Sequence, residues 1–333
     1  MDYRKSEAKS WAREKIKGHW TSMITPFTPD DRIDIEGLKS NIAKVIKLGS
    51  IGMTFTWPGG EFWSLTMDER KKICETAVEA TRGKIIIGVH TTSSSLNECI
   101  ELTKHAEETG MDLVNLCPPF MCRSEEQFYE FVKKVAEKVN IGIGLLNSPF
   151  TGRQSAQAIS KLADIPNVCV VKEANYPSSP ALTYEVFSLA GSKIVVSCPY
   201  DEAFFYEPFT DFHQQAMYAT PQDWFFDTPE HNHYVQFVNL ATSGRIDEAA
   251  KIFRDRIWKL RRIQDRYFTM IKLRQNGAFP AQVFKAFARI VGLASGHARP
   301  PLLPMPEAEI TSLMEELREA GLTSAVSRAQ MAR

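Results

Sequence analysis

One lysine stands where a protein could build a reactive amine. Lys172 ends the apolar run Val168-Cys169-Val170-Val171 and precedes Glu173-Ala174-Asn175. A continuously apolar run is typical of a strand buried on both faces, and an amine at the end of such a strand loses contact with water. Desolvation lowers the pKa of the amine, so that part of it is neutral near pH 7 and can attack a carbonyl to form a Schiff base. Position alone also fits a lysine that simply leaves the strand for solvent.

Other polar residues occur at or just after the ends of predicted strands, namely His90, Asn115, Asn147, Tyr200 and Asp201. His90 titrates near neutrality, and His90 and Tyr200 are the candidates for proton transfer. Asn115 and Asn147 could donate a hydrogen bond to a substrate oxygen, whereas Asp201 could merely cap the next helix. A water molecule could also carry the proton, and the sequence does not choose among these groups.

Short apolar runs alternate with amphipathic stretches along residues 18–240, which indicates strand–helix units and a parallel sheet. Seven or eight such units in about 225 residues favour an α/β fold, a (β/α)₈ TIM barrel, whose reactive groups lie at the carboxyl ends of the strands. The eighth strand is ambiguous, because residues 215–219 and residues 224–226 both fit it.

The regions that flank the barrel have different patterns. Residues 1–17 alternate charges and lack the apolar segment of a secretory signal, so we expect a short exposed helix or tail there. Residues 241–333 predict a C-terminal helical region, with helices over residues 245–272, 282–293 and 307–320.

Composition removes several classes of function. The chain has 333 residues with 40 Lys plus Arg and 40 Asp plus Glu, and this balance gives no support for a nucleic-acid partner or a membrane surface. Six cysteines without a C-x-x-C pair fit reduced thiols in a cytoplasmic protein. A nucleotide-binding glycine motif is absent, and His231-Asn232-His233 is too weak a pattern for a metal. We therefore expect no cofactor and no metal.

Four segments, in chain order, carry a resemblance to a known family: Thr25-Pro26-Phe27, Gly60-Glu61, Asn147-Ser148-Pro149 and Val171-Lys172-Glu173-Ala174. Their order and spacing resemble the dihydrodipicolinate synthase/N-acetylneuraminate lyase family of class I, Schiff-base aldolases, and the resemblance covers residues 18–304. It implies a barrel with a helical C-terminal region, a homo-oligomer (dimer or tetramer), and Lys172 as the residue that forms the imine with a small oxo substrate.

The sequence departs from that family where substrate is usually held and protons are relayed. The run Trp57-Pro58-Gly59-Gly60-Glu61 lacks the hydroxyls that usually hold the substrate carboxylate, although the amides of Gly59 and Gly60 could still bind an oxyanion. Leu146 replaces the strand-five tyrosine, and Phe120 replaces the second tyrosine of the relay. Since none of these side chains can transfer a proton, another group must supply that function.

Aromatic residues are frequent after the predicted strands. They are Trp57, Phe62, Trp63, Phe120, Phe150, Phe204, Phe205, Trp224, Phe225 and Phe226. Some of them belong to the core, but Trp57, Pro58, Phe120 and Leu146 would make the predicted pocket more apolar, which suits a bulky or aromatic substrate. In this respect the chain is similar to the aromatic hydratase-aldolase branch of the family.

Three hypotheses follow. The first is a cofactor-independent class I lyase, an aldolase or hydratase-aldolase, in which Lys172 forms a Schiff base with a 2-oxo acid such as pyruvate or a bulky or aromatic pyruvate adduct. The second is a repurposed barrel with hydratase, dehydratase or other chemistry on an apolar substrate. The third is a non-catalytic binding protein, against which the buried position of Lys172 argues.

Overall fold

A parallel barrel forms the centre of the computed structural model, which describes residues 2–176, 178–210 and 212–322. Its eight strands follow the order β7-β6-β5-β4-β3-β2-β1-β8. They are β1 (Gly18–Ser22), β2 (Gly52–Phe55), β3 (Ile86–His90), β4 (Leu113–Leu116), β5 (Gly142–Asn147), β6 (Val168–Glu173), β7 (Val195–Ser197) and β8 (Ala216–Thr220). The predicted (β/α)₈ barrel is confirmed.

The barrel closes between β7 and β8 through a side chain. The Ser197 hydroxyl donates to the carbonyl of Ala216 at 2.7 Å and accepts from the amide of Tyr218 at 2.9 Å. This hydroxyl satisfies backbone groups that would otherwise stay unpaired in the barrel wall.

Helices surround the strands and extend beyond the barrel. They are α1 (Ala8–Lys15), α2 (Ile35–Ile46), α3 (Met67–Thr81), α4 (Leu96–Thr109), α5 (Glu125–Glu137), α6 (Ala156–Leu162), α7 (Pro180–Ala190), α8 (Ala203–Tyr206), α9 (Gln222–Phe226), α10 (His233–Thr242), α11 (Ile246–Ile252), α12 (Trp258–Arg274), α13 (Ala281–Ile290) and α14 (Glu307–Glu319). Capping side chains in the sequence set the first residue of several of these helices. At α3, for example, Thr66 and Glu69 form a reciprocal capping box.

The structure resolves the ambiguity of the eighth strand. Residues 216–220 form β8, and the alternative, residues 224–226, lies in α9. Trp224, Phe225 and Phe226 are buried in the core between barrel and C-terminal helices, where Phe225 stacks on Phe287 with ring centroids 4.1 Å apart.

The amino-terminal segment is helical, and its charged face is exposed as predicted, but its opposite face is buried. Ala8, Ala12 and Ile16 are fully buried. The Tyr3 hydroxyl donates to the carbonyl of Asp112 at 2.5 Å and accepts from the amide of Gly142 at 2.8 Å. The segment therefore covers the amino-terminal end of the barrel, opposite the end where β6 presents Lys172.

The predicted C-terminal helices are present. Helices α11 and α12 form one continuous path joined by a π-helical turn over Phe253–Ile257, while α13 and α14 follow close to their predicted bounds. No helix in the described ranges is both long and apolar enough to cross a membrane. The six cysteines are free thiols, and five of them are buried.

Candidate active site

Lys172 is buried at the carboxyl end of β6, with 8% of the residue exposed. Burial lowers the pKa of its amine from 10.5 to about 7. The ammonium group lies 5.6 Å from the centre of the Trp57 ring. Both properties predicted for this residue, burial and a depressed pKa, are therefore present.

An irregularity in β8 provides the hydrogen-bond partner of Lys172. The pairing of β1 with β8 shifts register between His19 and Thr21, and Ala219 adopts a left-handed backbone conformation with φ of 56°. Lys172 Nζ donates to the carbonyl of Ala219. A bulge of this kind turns a backbone group out of the ladder, and here it holds the amine at the barrel mouth.

Trp57 joins Lys172 to His90. The indole of Trp57 meets the imidazole of His90 edge to face at a centroid distance of 5.7 Å, and the tilted ring of Phe62 lies 4.2 Å from the imidazole, centroid to centroid. His90 is fully buried, and neither ring nitrogen has a hydrogen-bond partner among the residues described. Burial, with the nearby charge of Arg70, moves the pKa of His90 well below its usual value, so the imidazole is neutral.

Arg70 fixes the end of β3 that carries His90. Its guanidinium donates to the carbonyl of His90 at 2.6 Å and to that of Thr92 at 2.8 Å. Because Arg70 is itself buried in α3, these two bonds tie the backbone from His90 to Thr92 to that helix. This arrangement can position an imidazole without occupying its nitrogens.

The predicted carboxylate-binding amides are only partly available. Residues Pro58–Gly60 form a 3₁₀ turn in which the Gly60 amide donates to the carbonyl of Trp57 at 2.7 Å. The Gly60 carbonyl accepts from the Thr25 hydroxyl at 2.8 Å. Gly60 is therefore committed to the turn, and Gly59 is the remaining amide of the predicted pair.

Leu146 faces the same side of the barrel wall as Lys172, whereas Asn147 does not. Leu146 and Lys172 are register partners across β5 and β6, and side chains alternate along a strand. Asn147 instead donates to the Glu173 carboxylate at 2.7 Å and to the carbonyl of Gln154 at 3.1 Å. The expected role of Asn147 as a substrate-binding side chain finds no support, since it braces the loops after both strands.

Glu173 anchors the loop that follows the lysine. Besides Asn147, its carboxylate accepts from the side chain of Asn175 at 2.6 Å and from the backbone amide of Asn175 at 3.2 Å. Burial raises the pKa of Glu173 to about 7, although these hydrogen bonds oppose the shift. Glu173 thus positions the end of β6 from the outer face of the barrel.

Three other predicted site residues make contacts that do not involve Lys172. Phe120 is 73% exposed and stacks on Arg123 at 5.3 Å. Tyr200 packs beside Tyr176, with burial raising its pKa to about 12. Asp201 accepts from the Tyr234 hydroxyl at 2.6 Å and pairs with Arg261 of α12 at 3.4 Å, a structural role. None of these contacts brings Phe120, Tyr200 or Asp201 to the lysine.

Sequence reasoning missed two residues of the site. Tyr218 of β8 lies under Trp57 at a centroid distance of 6.4 Å, and its hydroxyl donates to Asn115 Oδ1 at 2.7 Å. Asn115, one of the predicted candidates, is thereby committed through its oxygen, although its Nδ2 has no partner within the described part of the chain. Because β8 is buried along its whole length and shows no polar–apolar alternation, its sequence does not mark Tyr218 as an inward residue.

The second missed residue, Lys285, comes from outside the barrel. Its buried ammonium lies 3.1 Å from the Glu61 carboxylate and donates to the carbonyl of Thr25. Burial lowers the pKa of Lys285 to about 8, against the effect of Glu61. Helix α13 is thus tied to the loops after β1 and β2. No local pattern reveals such a pair, because its partners are far apart in the sequence.

The His231-Asn232-His233 pattern produces only a stacked pair of imidazoles, 5.8 Å between centroids. Over the described ranges, no group of three or more His, Cys, Asp or Glu side chains could hold a metal ion.

Comparisons with known proteins extend over nearly the whole chain. The profile of the dihydrodipicolinate synthetase family matches residues 15–210. The chain is 30% identical over 322 residues to 4-hydroxy-tetrahydrodipicolinate synthase of Methanosarcina acetivorans, covering 92% of this chain and 99% of that protein. The same enzyme of Methanosarcina mazei is 31% identical over 323 residues, with the same coverage.

Solved structures show the same architecture. A crystal structure of a dihydrodipicolinate synthase aligns with 25% identity and a TM-score of 0.74, over 92% of this chain and 99% of that one. YagE, a prophage protein of the dihydrodipicolinic acid synthase family from E. coli K12 solved with pyruvate, aligns with 23% identity and a TM-score of 0.77, over 92% and 99%. The latter likeness is one of fold.

Proposed function

We propose a Schiff-base mechanism for this chain, which belongs to the dihydrodipicolinate synthetase family and is therefore an enzyme of a carbon–carbon lyase family. In this proposal Lys172 condenses with a 2-oxo acid, either pyruvate or a bulky or aromatic pyruvate adduct. The observation that carries it is the buried Lys172 amine, whose pKa is lowered to about 7. An amine with this pKa is about half neutral at pH 7, which is the form that attacks carbonyls.

The chemistry then follows from the imine. The Lys172 nitrogen adds to the substrate carbonyl, the carbonyl oxygen leaves as water, and the protonated imine accepts the electron pair of the bond that breaks at the neighbouring carbon. In the reverse direction the resulting enamine attacks an acceptor carbonyl. Hydrolysis of the imine returns the free amine. Burial supports this sequence, since a site shielded from water makes the imine a stronger electron sink.

His90 is our candidate for proton transfer. A neutral imidazole has one donor and one acceptor nitrogen, and both nitrogens of His90 lack a partner in the described chain. Such a group can take the proton of a substrate hydroxyl when a bond breaks and return it when the bond forms. Tyr200, the other candidate, packs against the ring of Tyr176 and is the weaker choice.

Borohydride trapping tests the proposal. The protein is incubated with pyruvate and reduced, and the peptide that contains Lys172 should gain the mass of pyruvic acid less one oxygen. Lys172→Met and protein reduced without pyruvate are the controls. If no 2-oxo acid, tested as pyruvate and as benzylidenepyruvate, modifies Lys172, the Schiff-base mechanism is wrong.

A second candidate keeps the site but not the imine. It is a hydratase or dehydratase on an apolar substrate, favoured by the unpartnered nitrogens of His90, whose imidazole contacts two aromatic rings. In that case His90→Ala should abolish the turnover of benzylidenepyruvate, whereas Lys172→Met should retain it. The Schiff-base mechanism predicts loss of turnover in Lys172→Met.

We also propose that the chain assembles as a dimer or tetramer. Phe120 and Met121, on the loop after β4, are 73% and 70% exposed, and adjacent apolar side chains of this kind commonly mark a protein contact. Light scattering of Phe120→Asp should then show a smaller mass than the parent protein. Phe209, which is 83% exposed and lies on a different part of the chain, provides the matched control, and Phe209→Asp should not change the mass.

A further inference from the structure

A cavity of about 900 Å³ lies between the loop after β1, helix α13 and the start of α14. Lys172 and His90 are not among the residues that line it. Apolar side chains form much of its wall, including Phe27, Met305 and Ile310. Small organic ligands occupy cavities of this size and character in proteins, with a few polar groups that fix their orientation.

Helix α13 presents one polar face to this cavity. Gln282, Lys285 and Arg289 line it at intervals of three and four residues, the spacing that puts helical side chains on one face. Gln282 and Lys285 are buried and form the floor, whereas the side chain of Arg289 is 31% exposed and marks the mouth. Because Gln282 and Arg289 are seven residues apart, they are separated by about 10 Å along the helix axis. A ligand that contacts both is therefore an elongated molecule.

The floor of the cavity holds a hydrogen-bond acceptor without a partner. Gln282 is 2% exposed, and its Nε2 donates to the carbonyl of Leu303 at 2.7 Å, while its Oε1 has no partner among the described residues. A buried amide oxygen without a donor costs free energy, so a ligand O–H or N–H that reaches it is favoured. Lys285, one turn further along α13, is already paired with Glu61 and would repel a second cation. The matching donor is therefore a neutral group such as a hydroxyl.

The mouth of the cavity holds a cation whose partner can be exchanged. The Arg289 guanidinium donates to the Glu307 carboxylate at 2.7 Å, and the Glu307 side chain is 71% exposed. An exposed ion pair contributes little to stability, so a ligand carboxylate can replace Glu307 at small cost. The planar guanidinium matches a carboxylate in shape and charge. Asp34, the second carboxylate that lines the cavity, already accepts from the amide of Gly37 at 2.8 Å.

From this arrangement we infer that the cavity binds a medium-length aliphatic carboxylic acid with a hydroxyl at its far end. The hydroxyl donates to Gln282 Oε1, and the carboxylate pairs with Arg289. The chain between them lies against the apolar side chains of Phe27 and Ile310. The inference does not depend on the formation of an imine, so it stands apart from the proposed function.

Three probes with the same eight-carbon chain separate the two ends of the cavity. The first, ω-hydroxyoctanoate, carries both groups, whereas octanoate lacks the hydroxyl and α,ω-octanediol lacks the carboxylate. Their dissociation constants for the full chain are measured by saturation-transfer NMR. We expect a Kd of about 1 mM or tighter for ω-hydroxyoctanoate, and binding about fivefold or more weaker for each of the other two.

Substitutions at the floor assign the hydroxyl to its partner. Gln282→Met removes the amide oxygen and should abolish the preference for ω-hydroxyoctanoate over octanoate. Gln264→Met is the matched control, because Gln264 is also buried with an unpartnered Oε1 in the described chain but lies outside the set of residues that line this cavity. This control should keep the preference of the parent protein.

Substitutions at the mouth assign the carboxylate. Arg289→Gln should weaken ω-hydroxyoctanoate about fivefold or more and leave α,ω-octanediol unchanged. Arg274→Gln, at an arginine on α12 that pairs with Glu309 of α14, is the control and should behave as the parent. Glu307→Gln removes the competing carboxylate and should tighten ω-hydroxyoctanoate about two- to threefold.

Two kinds of result overturn the inference. The first is equal affinity of the parent for the three probes, or no detectable binding of any of them. The second is loss of probe binding in Lys172→Met, which would place the probe at the lysine whatever pyruvate trapping shows. If Gln282→Met or Arg289→Gln fails to fold, Glu307→Gln decides, because a gain in affinity does not arise from structural damage. An unchanged Kd in Glu307→Gln then contradicts the assignment of the carboxylate to Arg289.

Discussion

Lys172→Met should stabilise the protein in a way that depends on pH. A lysine whose folded pKa is about 7 and whose usual value is 10.5 binds a proton more weakly in the folded than in the unfolded chain. Between these two values the unfolded state holds more protons, so the stability of the native protein rises with pH. The cost of the buried amine is therefore largest at and below about pH 7 and disappears above about pH 10.5.

The magnitude follows from the two pKa values. The whole shift corresponds to about 5 kcal/mol, of which about 4 kcal/mol is felt at pH 7, where half of the native amine is already neutral. Methionine has a similar length but carries no charge, so it removes this cost. Its own packing and the lost bond to Ala219 contribute an offset that does not vary with pH. The pH slope, rather than the absolute difference, is thus the quantity to measure.

Urea unfolding at pH 7, 8, 9 and 10 provides the assay. The free energy of unfolding of Lys172→Met minus that of the parent should fall by about 1.4 kcal/mol for each pH unit between pH 8 and pH 10. Lys104→Met, at an exposed position of α4, is the control and should show no such slope. A difference for Lys172→Met that stays constant across this range would refute the argument that burial depresses the pKa of the amine.

Three further substitutions test the surroundings of the site by urea unfolding. Gly144→Ala places a Cβ 2.3 Å from Asn115 Oδ1 and should cost about 1–3 kcal/mol of stability; a change below about 0.5 kcal/mol would mean that Asn115 can move. For Glu173→Gln, the free energy of unfolding minus that of the parent should rise by about 1.4 kcal/mol per pH unit from pH 5 to pH 7. The reason is that the folded carboxyl of the parent, with a pKa of about 7, holds a proton in this range that the unfolded carboxyl loses. Parallel curves of stability against pH for the two proteins would argue against this pKa. Lys285→Met removes the charged partner of the buried Glu61 carboxylate and should lower the free energy of unfolding by about 3–5 kcal/mol. Adding Glu61→Gln to this variant should restore part of that loss. Equal stability of the single and double variants would contradict the pairing.

The sequence was most informative where a single segment contains the whole signal. Val168 to Val171 is apolar throughout, and this run alone predicts both a buried strand and a desolvated amine at its end. A continuous apolar run does not predict the structure of residues 224–226, since three consecutive aromatic residues are equally compatible with a strand and with a short buried helix. Only the packing of Phe225 on Phe287, a residue of α13, decides between them.

Side-chain direction was harder to predict than strand position. Asn147 is at the end of β5, as predicted, but the register of β5 with β6 turns Leu146 inward and Asn147 toward Glu173. An apolar run that is buried on both faces carries no alternation, so its sequence does not reveal which residues face the barrel interior. The exposure of Phe120 has a similar origin, because it depends on the path of a loop.

Interactions between distant segments left no sequence signal at all. Lys285 and Glu61 are separated by more than two hundred residues, and each would pass for a surface charge when read alone. The amino-terminal segment shows the same limit. Its alternating charges suggest exposure, but Ala8, Ala12 and Ile16 lie on one helical face and are buried against the barrel.

The apolar surroundings of Lys172 make a relay of hydroxyl groups less necessary for the first step of the proposed mechanism. In a polar site, a relay must first remove a proton from the ammonium before the amine can attack. Here burial lowers the pKa of Lys172 to about 7, so about half of the amine is neutral at pH 7 without any relay. Burial also keeps the imidazole of His90 neutral, with both nitrogens unpartnered among the described residues. In the proposed mechanism, the apolar Leu146 beside Lys172 offers no route for protons, and the same desolvation reduces the need for one in the first step. The proposed mechanism still needs a group that moves the proton of the carbon–carbon step, and we assign this role to His90, because a neutral imidazole has both a donor and an acceptor nitrogen.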